Sequence, residues 1–302
     1  MHFDEQKPLD IVLNDLFDQY SKHVADVSKI TNALLEKAVI NSQEDIVNDH
    51  IAFRTLGVSH LGIQSFEKIF QAYGYERRDH YYFEAKKLDA YWYAPPAPHY
   101  PRIFVSELQV KALSEEAQQI IYRYTNPIVA DPVAKLDLAD GPGVAAFLQQ
   151  PLWSLPTAKD YERLLQESEY AAWVIYNRYY LNHYTISIHE LQAGYNTLEA
   201  FNAFLEGIGI KLNTSGGKIK TSADGLLRQS STVSALYDAT FSDGRTLQIA
   251  GSYVEFAERL PLPAYQHLDP RELTAAHRRE GFEANNADKI FESTYTQQIH
   301  KG

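Results

Sequence analysis

The sequence contains no cysteine. Disulfides, thiolate metal sites and cysteine nucleophiles are therefore excluded, and any metal must be held by His, Asp or Glu. Positive charge is scarce as well. Lys and Arg number 28 against 39 Asp and Glu, a formal net charge of −11. General nucleic-acid binding needs a basic face, so this balance argues against it; a local basic patch around an anionic substrate remains compatible with it. No run of about 18 apolar residues occurs, so no membrane span is expected. The opening Met1-His2-Phe3-Asp4-Glu5 is charged and lacks the apolar stretch of a signal peptide. The expectation is a soluble cytoplasmic protein, treated as one domain over residues 1–302, a length that supports a large core.

Aromatic residues, in contrast, are plentiful: 21 Tyr and 14 Phe. They suit strands, and a barrel lined by them can enclose a pocket. Apolar residues recur at helical spacing from Leu13 to Leu34, which predicts helix over 8–38 within a helical N-terminus, 8–48. From Asp49 the period changes. Residues 50–56 alternate like a strand, 61–73 read as an amphipathic helix stopped by Gly74, and 75–85, 88–94 and 102–109 read as strands. This first module, 49–111, is β-α-β-β-β. A mostly helical insertion spans 112–180, with helices expected at 114–124 and 158–180. The first pattern then returns over 181–260. A strand at 182–189 is followed by a Thr197-capped helix at 197–209, a loop and strand within 211–230, and strands at 232–241 and 246–259. A tail, 261–302, holds an expected helix near 270–279. The fold class is α+β: two βαβββ modules forming a half-open β-barrel, with the helical N-terminus and the helical insertion between modules.

Each module opens on a polar residue, a histidine and alternating strand residues: Asp49-His50-Ile51-Ala52-Phe53-Arg54 and Asn182-His183-Tyr184-Thr185-Ile186-Ser187. The second closes on Tyr253-Val254-Glu255-Phe256-Ala257-Glu258-Arg259. Two histidines and one carboxylate on strands form the ligand set of an open Fe(II) site. Strand alternation puts His50, Ala52 and Arg54 on one face. An inward Arg54 is a good clamp for a substrate carboxylate, because it presents paired planar donors. Outward, solvated His50 and Arg54 are an equally simple reading of the first strand alone. His189 lies too far along its strand to share the metal of His183. Glu255 and Glu258 fall on opposite faces. Glu255, between apolar neighbours, suits the barrel interior, and Glu258, beside Arg259, reads as a solvated ion pair. Glu107, in the last strand of the first module, is a reserve candidate as a fourth ligand or supporting group. Gln229 and Ser230 are candidates to line the pocket. Gly141-Pro142-Gly143 and Ser215-Gly216-Gly217-Lys218 lack the spacing and context of dinucleotide or phosphate loops.

The stretches Asn48-Asp49-His50-Ile51-Ala52-Phe53-Arg54-Thr55, Phe104-Val105-Ser106-Glu107-Leu108, Asn182-His183 and Tyr253-Val254-Glu255-Phe256 resemble the 2-oxoadipate dioxygenase/decarboxylase (hydroxyglutarate synthase) family over about residues 10–260. The resemblance implies a fold related to the vicinal-oxygen-chelate fold. It implies Fe(2+) as cofactor, His50, His183 and Glu255 as its ligands, and Arg54 as the holder of a substrate carboxylate. It also implies conversion of 2-oxoadipate with O2 to 2-hydroxyglutarate and CO2, in lysine breakdown. The bacterial members of that family carry further C-terminal sequence that contributes to the pocket. Two other readings stand beside this one: a non-oxidative metal-dependent isomerase or lyase with Glu107 as fourth ligand or base, and a metal-free protein binding a small acid in the barrel.

Overall fold

The computed structural model describes Phe3 and residues 5–301. The N-terminal helical stretch is two helices, α1 (Pro8–His23) and α2 (Ala25–Glu36), rather than one. Val24 between them is extended (φ −112°, ψ 91°), which turns the chain so that both helices bury an apolar face. The first module then runs β1 (Asn48–Leu56), α3 (Ile63–Ala72), β2 (Glu76–Phe83), β3 (Leu88–Ala94) and β4 (Arg102–Leu108). The insertion contains α4 (Glu115–Thr125), α5 (Gly141–Gln149), α6 (Ala158–Glu167) and α7 (Glu169–Asn177). The expected helix over 158–180 is broken at Ser168, whose extended backbone ends α6 and whose hydroxyl caps α7 by accepting the Ala171 N–H.

The second module comprises β5 (His183–Ser187), α8 (Leu198–Gly207), β6 (Lys220–Thr221), β7 (Leu227–Ser231) and, after β8 (Leu236–Thr240) and β9 (Thr246–Ala250), β10 (Tyr253–Arg259). Among the described residues eight strands form one curled half-barrel sheet in the order β2-β3-β4-β1-β5-β10-β7-β6. The order is palindromic in module terms. In each module the first strand pairs parallel with the last, and β1 meets β5 antiparallel at the centre. The strands expected at 232–241 and 246–259 are the point of difference. β8 and β9 pair only with each other, as a separate hairpin, and Gly251-Ser252 divides β9 from β10. The alternation there is real, but it belongs to a half-exposed hairpin inserted into the module. In the tail, residues 270–279 form only short 3-10 turns, and the helices are α9 (Ala284–Ile290) and α10 (Thr296–Ile299).

Alternation divides the sheet. Phe53, Tyr184 and Phe256 point to the outer side, where they meet Phe66 of α3, Phe17 of α1 and Phe201 of α8. His50, His183 and Glu255 point to the concave side. That side is covered by the tail, through Phe282, Ile290 and Phe291, and beyond them by α7, through Tyr170 and Trp173.

Candidate metal centre

The central antiparallel pair sets the geometry. His50 lies opposite Thr185 and His183 opposite Ala52, so the two histidines sit diagonally on neighbouring strands and face the same way. On the parallel side, Tyr253 is the partner of His183 and Glu255 of Thr185. The imidazole rings are 5.4 Å apart and nearly perpendicular. One ligand atom from each of His50, His183 and Glu255 lies within 4.8 Å of the other two, and all three residues are buried.

The hydrogen bonds determine which ring atoms face inward. His50 Nδ1 donates to Asp49 Oδ1 at 2.8 Å, and His183 Nδ1 donates to Asn182 Oδ1 at 3.1 Å. With both Nδ1 protons directed outward, both Nε2 atoms face inward: that of His183 lies 3.1 Å from the Glu255 carboxylate, and that of His50 lies 3.5 Å from it and 3.0 Å from the Thr185 hydroxyl. Bare lone pairs facing carboxylate oxygens in a dry site repel, and a proton or a metal ion between them relieves that repulsion. Two imidazoles and a carboxylate converging with outward hydrogen bonds on their second nitrogens are the donor set and support that a divalent metal takes. Burial pushes the Glu255 carboxyl up, but the two histidines outweigh it and hold the group well below the usual carboxylate range. Burial pulls both imidazoles down. For His50 the acceptors Glu255 and Asp49 reverse the direction, whereas His183 stays below its ordinary value.

Gln229 joins this group. Its amide donates to Glu255 Oε1 at 2.6 Å, and its own Oε1 accepts from Asn286 of α9 at 3.0 Å. A small apolar cavity adjoins the triad, lined by Phe104, Phe282, Ile290 and Phe291. Arg54 is on the same face, four residues along from His50, and fully buried. It is held by the tail, donating to Thr294 Oγ1 at 2.9 Å and to the Phe291 carbonyl at 3.0 Å. Its guanidinium lies over Tyr170 and Trp173 at 5.1 and 5.2 Å. No carboxylate comes within ion-pair distance of it among the described residues.

Other candidates are placed elsewhere. Ser230 is on the outer face and donates to Asn202 of α8 at 2.8 Å. Glu107 is also turned away from the triad. Counting from the residue opposite each histidine, the counterpart of Glu255 in β4 is Phe104, and the counterpart of Glu107 in β10 is Glu258. These two glutamates do the same work. Glu107 accepts the Ile63 N–H at the start of α3 at 2.7 Å, and Glu258 accepts the Leu198 N–H at the start of α8 at 3.2 Å. Each meets the positive end of its module's helix. Gly62 makes the first contact possible. It has φ +80°, and a Cβ there would lie 2.1 Å from Glu107 Oε2. Glu258 is therefore buried, paired with Arg228 at 2.9 Å, and not the solvated group expected from its place at the strand end. Sequence reasoning also passed over Asp49, Arg259, Asn286, Phe282 and Phe291. Asp49 directly before His50 was the one available signal.

Fold and site together define a class: paired-module half-barrels presenting two histidines and a carboxylate on the concave face, with room for a metal. The comparisons narrow it. A model of the 2-oxoadipate dioxygenase/decarboxylase family matches residues 12–268, and the chain belongs to that family of oxygenase and decarboxylase enzymes. The chloroplastic 2-oxoadipate dioxygenase/decarboxylase of Arabidopsis thaliana is 43% identical over 280 residues, 89% of this chain and 74% of its own. The crystal structure of the Oryza sativa hydroxyglutarate synthase in complex with 2-oxoadipate matches with a TM-score of 0.85 at 40% identity, covering 96% of this chain and 93% of that one. A Ralstonia eutropha protein described as of the glyoxalase superfamily shares the fold at 20% identity, with a TM-score of 0.71 over 94% of this chain and 90% of its own. The vicinal-oxygen-chelate-like architecture is thus the observed one. Among the described residues no helix is long and apolar enough to cross a membrane.

Proposed function

We propose that this chain is an Fe(II)-dependent dioxygenase that decarboxylates 2-oxoadipate with O2 to 2-hydroxyglutarate and CO2, with His50, His183 and Glu255 as the metal ligands. The observation that carries the reading is the meeting of two inward Nε2 lone pairs with the Glu255 carboxylate. It is supported by family membership and by the 2-oxoadipate bound in the Oryza sativa relative. Iron bound by three protein ligands supplies open positions for a 2-oxo acid and O2, and the redox chemistry between them.

The protein's own groups account for the rest. Gln229 fixes the orientation of the Glu255 carboxylate and is itself fixed by Asn286. Phe104, Phe282, Ile290 and Phe291 exclude bulk water from the reacting atoms. Arg54 receives a substrate carboxylate. Its present acceptors, a hydroxyl and a carbonyl, are neutral and exchangeable for a stronger, charged one. The non-oxidative reading used Glu107 as ligand or base, and its engagement with α3 leaves no observation in favour of that alternative.

The test is anaerobic reconstitution of the full chain with Fe(II), followed by O2 and 2-oxoadipate. O2 consumed, CO2 released and 2-hydroxyglutarate formed should appear in equal amounts. Fully iron-loaded protein that consumes no O2 with any 2-oxo acid would sink the proposal.

A further inference from the structure

The two histidines of the triad are supported unequally. His183 leans on a neutral amide, Asn182. His50 leans on a buried carboxylate, and that carboxylate is itself gripped. Arg259 Nε donates to Asp49 Oδ2 at 2.6 Å and Nη2 to Oδ1 at 2.9 Å, a bidentate pair with both side chains almost wholly buried. Arg102 adds a longer contact to Asp49 Oδ2 at 3.5 Å. The remaining Arg259 donor, Nη1, bonds the carbonyls of Arg279 and Gly281 at 2.9 and 2.7 Å. The next residue, Phe282, sets its ring edge-on against His50 at 4.8 Å and under the Arg259 guanidinium at 5.6 Å. One guanidinium therefore holds both the carboxylate behind His50 and the chain segment that closes the cavity in front of it.

We propose that Asp49, gripped by Arg259, is a positioning residue for the metal site: it fixes the tautomer and plane of the His50 ring, and Arg259 ties that ring to residues 279–282. The inference rests on the reading of His50, His183 and Glu255 as metal ligands. Its physical basis is general. An imidazole whose Nδ1–H is bonded to a carboxylate offers Nε2 as a stronger and pre-aimed donor, and loss of such a partner weakens metal binding roughly ten- to hundredfold. A buried carboxylate free to rotate would not aim the ring, and the fork geometry of an arginine removes that freedom. Lysine, with three donors on one atom, cannot supply all four of these contacts or their planar fork.

The experiment uses the full chain, stripped of metal and titrated with Co(II), with affinity from competition and coordination geometry from the visible d–d bands. Asp49→Asn should lower Co(II) affinity roughly ten- to hundredfold and alter the bands. Arg259→Lys should lower affinity by a smaller factor. Because Asp49→Asn leaves an unpaired buried guanidinium, Asp49→Asn combined with Arg259→Gln is the arm to read if the single variant does not fold. Unchanged affinity and unchanged bands in a folded Asp49→Asn or double variant overturn the proposal. A second measurement needs no variant: in Zn(II)-loaded wild type, imidazole 15N shifts should report His50 protonated at Nδ1 and metallated at Nε2, and metallation at Nδ1 overturns it. Wild type that takes up neither Co(II) nor Fe(II) would instead overturn the underlying metal-site reading, so the two failures are distinguishable.

Discussion

Acidification from pH 6.5 to 4 should destabilise this protein through His189. The side chain is nearly buried beside β10, and its Nδ1 accepts the Arg259 backbone N–H at 3.2 Å. Nδ1 therefore carries no proton, and the single proton of the neutral ring is on Nε2. Burial, with the neighbouring Arg278 and Arg259 opposing Asp49, lowers the pKa from 6.5 to about 4. The sign follows from linkage. In the unfolded chain the ring binds a proton at its ordinary value, and in the folded protein it does so only near pH 4. The stabilisation is fully present above pH 6.5 and is lost as pH falls through the folded value. A displacement of about 2.5 pH units corresponds to about 3 kcal/mol, at close to 1.4 kcal/mol per unit. That is a large share of the net stability of an ordinary domain. Other carboxylates and histidines titrate in the same range, so the measurement is a difference. Urea unfolding of the wild type and of His189→Gln, at steps between pH 7.5 and 4, gives two stability curves. The wild-type curve should fall about 3 kcal/mol further than the variant's over the window. Parallel curves would refute the reasoning, whatever the offset between them.

Three more outcomes follow from the site. Arg54→Lys keeps the positive charge but removes the paired, planar donors. It should raise the KM of the iron-loaded enzyme for 2-oxoadipate roughly thirtyfold, from about 2 kcal/mol of lost carboxylate recognition, and an unchanged KM in steady-state assays would count against the clamp. Glu107→Ala leaves the start of α3 unsatisfied, so urea unfolding should show a loss of about 1–3 kcal/mol, while Co(II) affinity stays at the wild-type level. A drop in affinity would return Glu107 to the metal site. Phe282→Ala deletes a buried ring packed against His50, Phe104 and Arg259, at a cost of about 3–5 kcal/mol. It also admits water, so CO2 released per O2 consumed should fall below one in paired measurements; a retained ratio of one would show that this ring does not guard the chemistry.

Several features were legible in the chain because they are local. Alternation put His50 and Arg54 on one strand face and separated Glu255 from Glu258, and period 2 against period 3.6 marked the βαβββ order. Where local pattern misled, the cause was tertiary. Residues 236–250 alternate as a strand should, yet pair only with each other as an inserted hairpin. Glu107 and Glu255 are both glutamates in the last strand of a module, and only the register to β1 and β5 reveals that Glu107 corresponds to Glu258. Ser230 follows Gln229 directly, and one residue of strand is enough to send it to the other face.

By itself, then, the sequence determined the donor atoms on offer: no thiolate, two strand histidines behind Asp49 and Asn182, and a glutamate among apolar neighbours. Those are properties of residue type and strand period, and they survive any arrangement of the modules. Convergence is different. It required β1 and β5 to meet antiparallel with His50 opposite Thr185, and β10 to lie parallel to β5 with Glu255 opposite Thr185. The closure of the site by Phe282 and Phe291, and the grip of Arg259 on Asp49 across 210 residues of chain, likewise exist only once the tail has folded back over the sheet. Such contacts leave no local periodicity, because each partner's own neighbours say nothing about the distant segment it will meet.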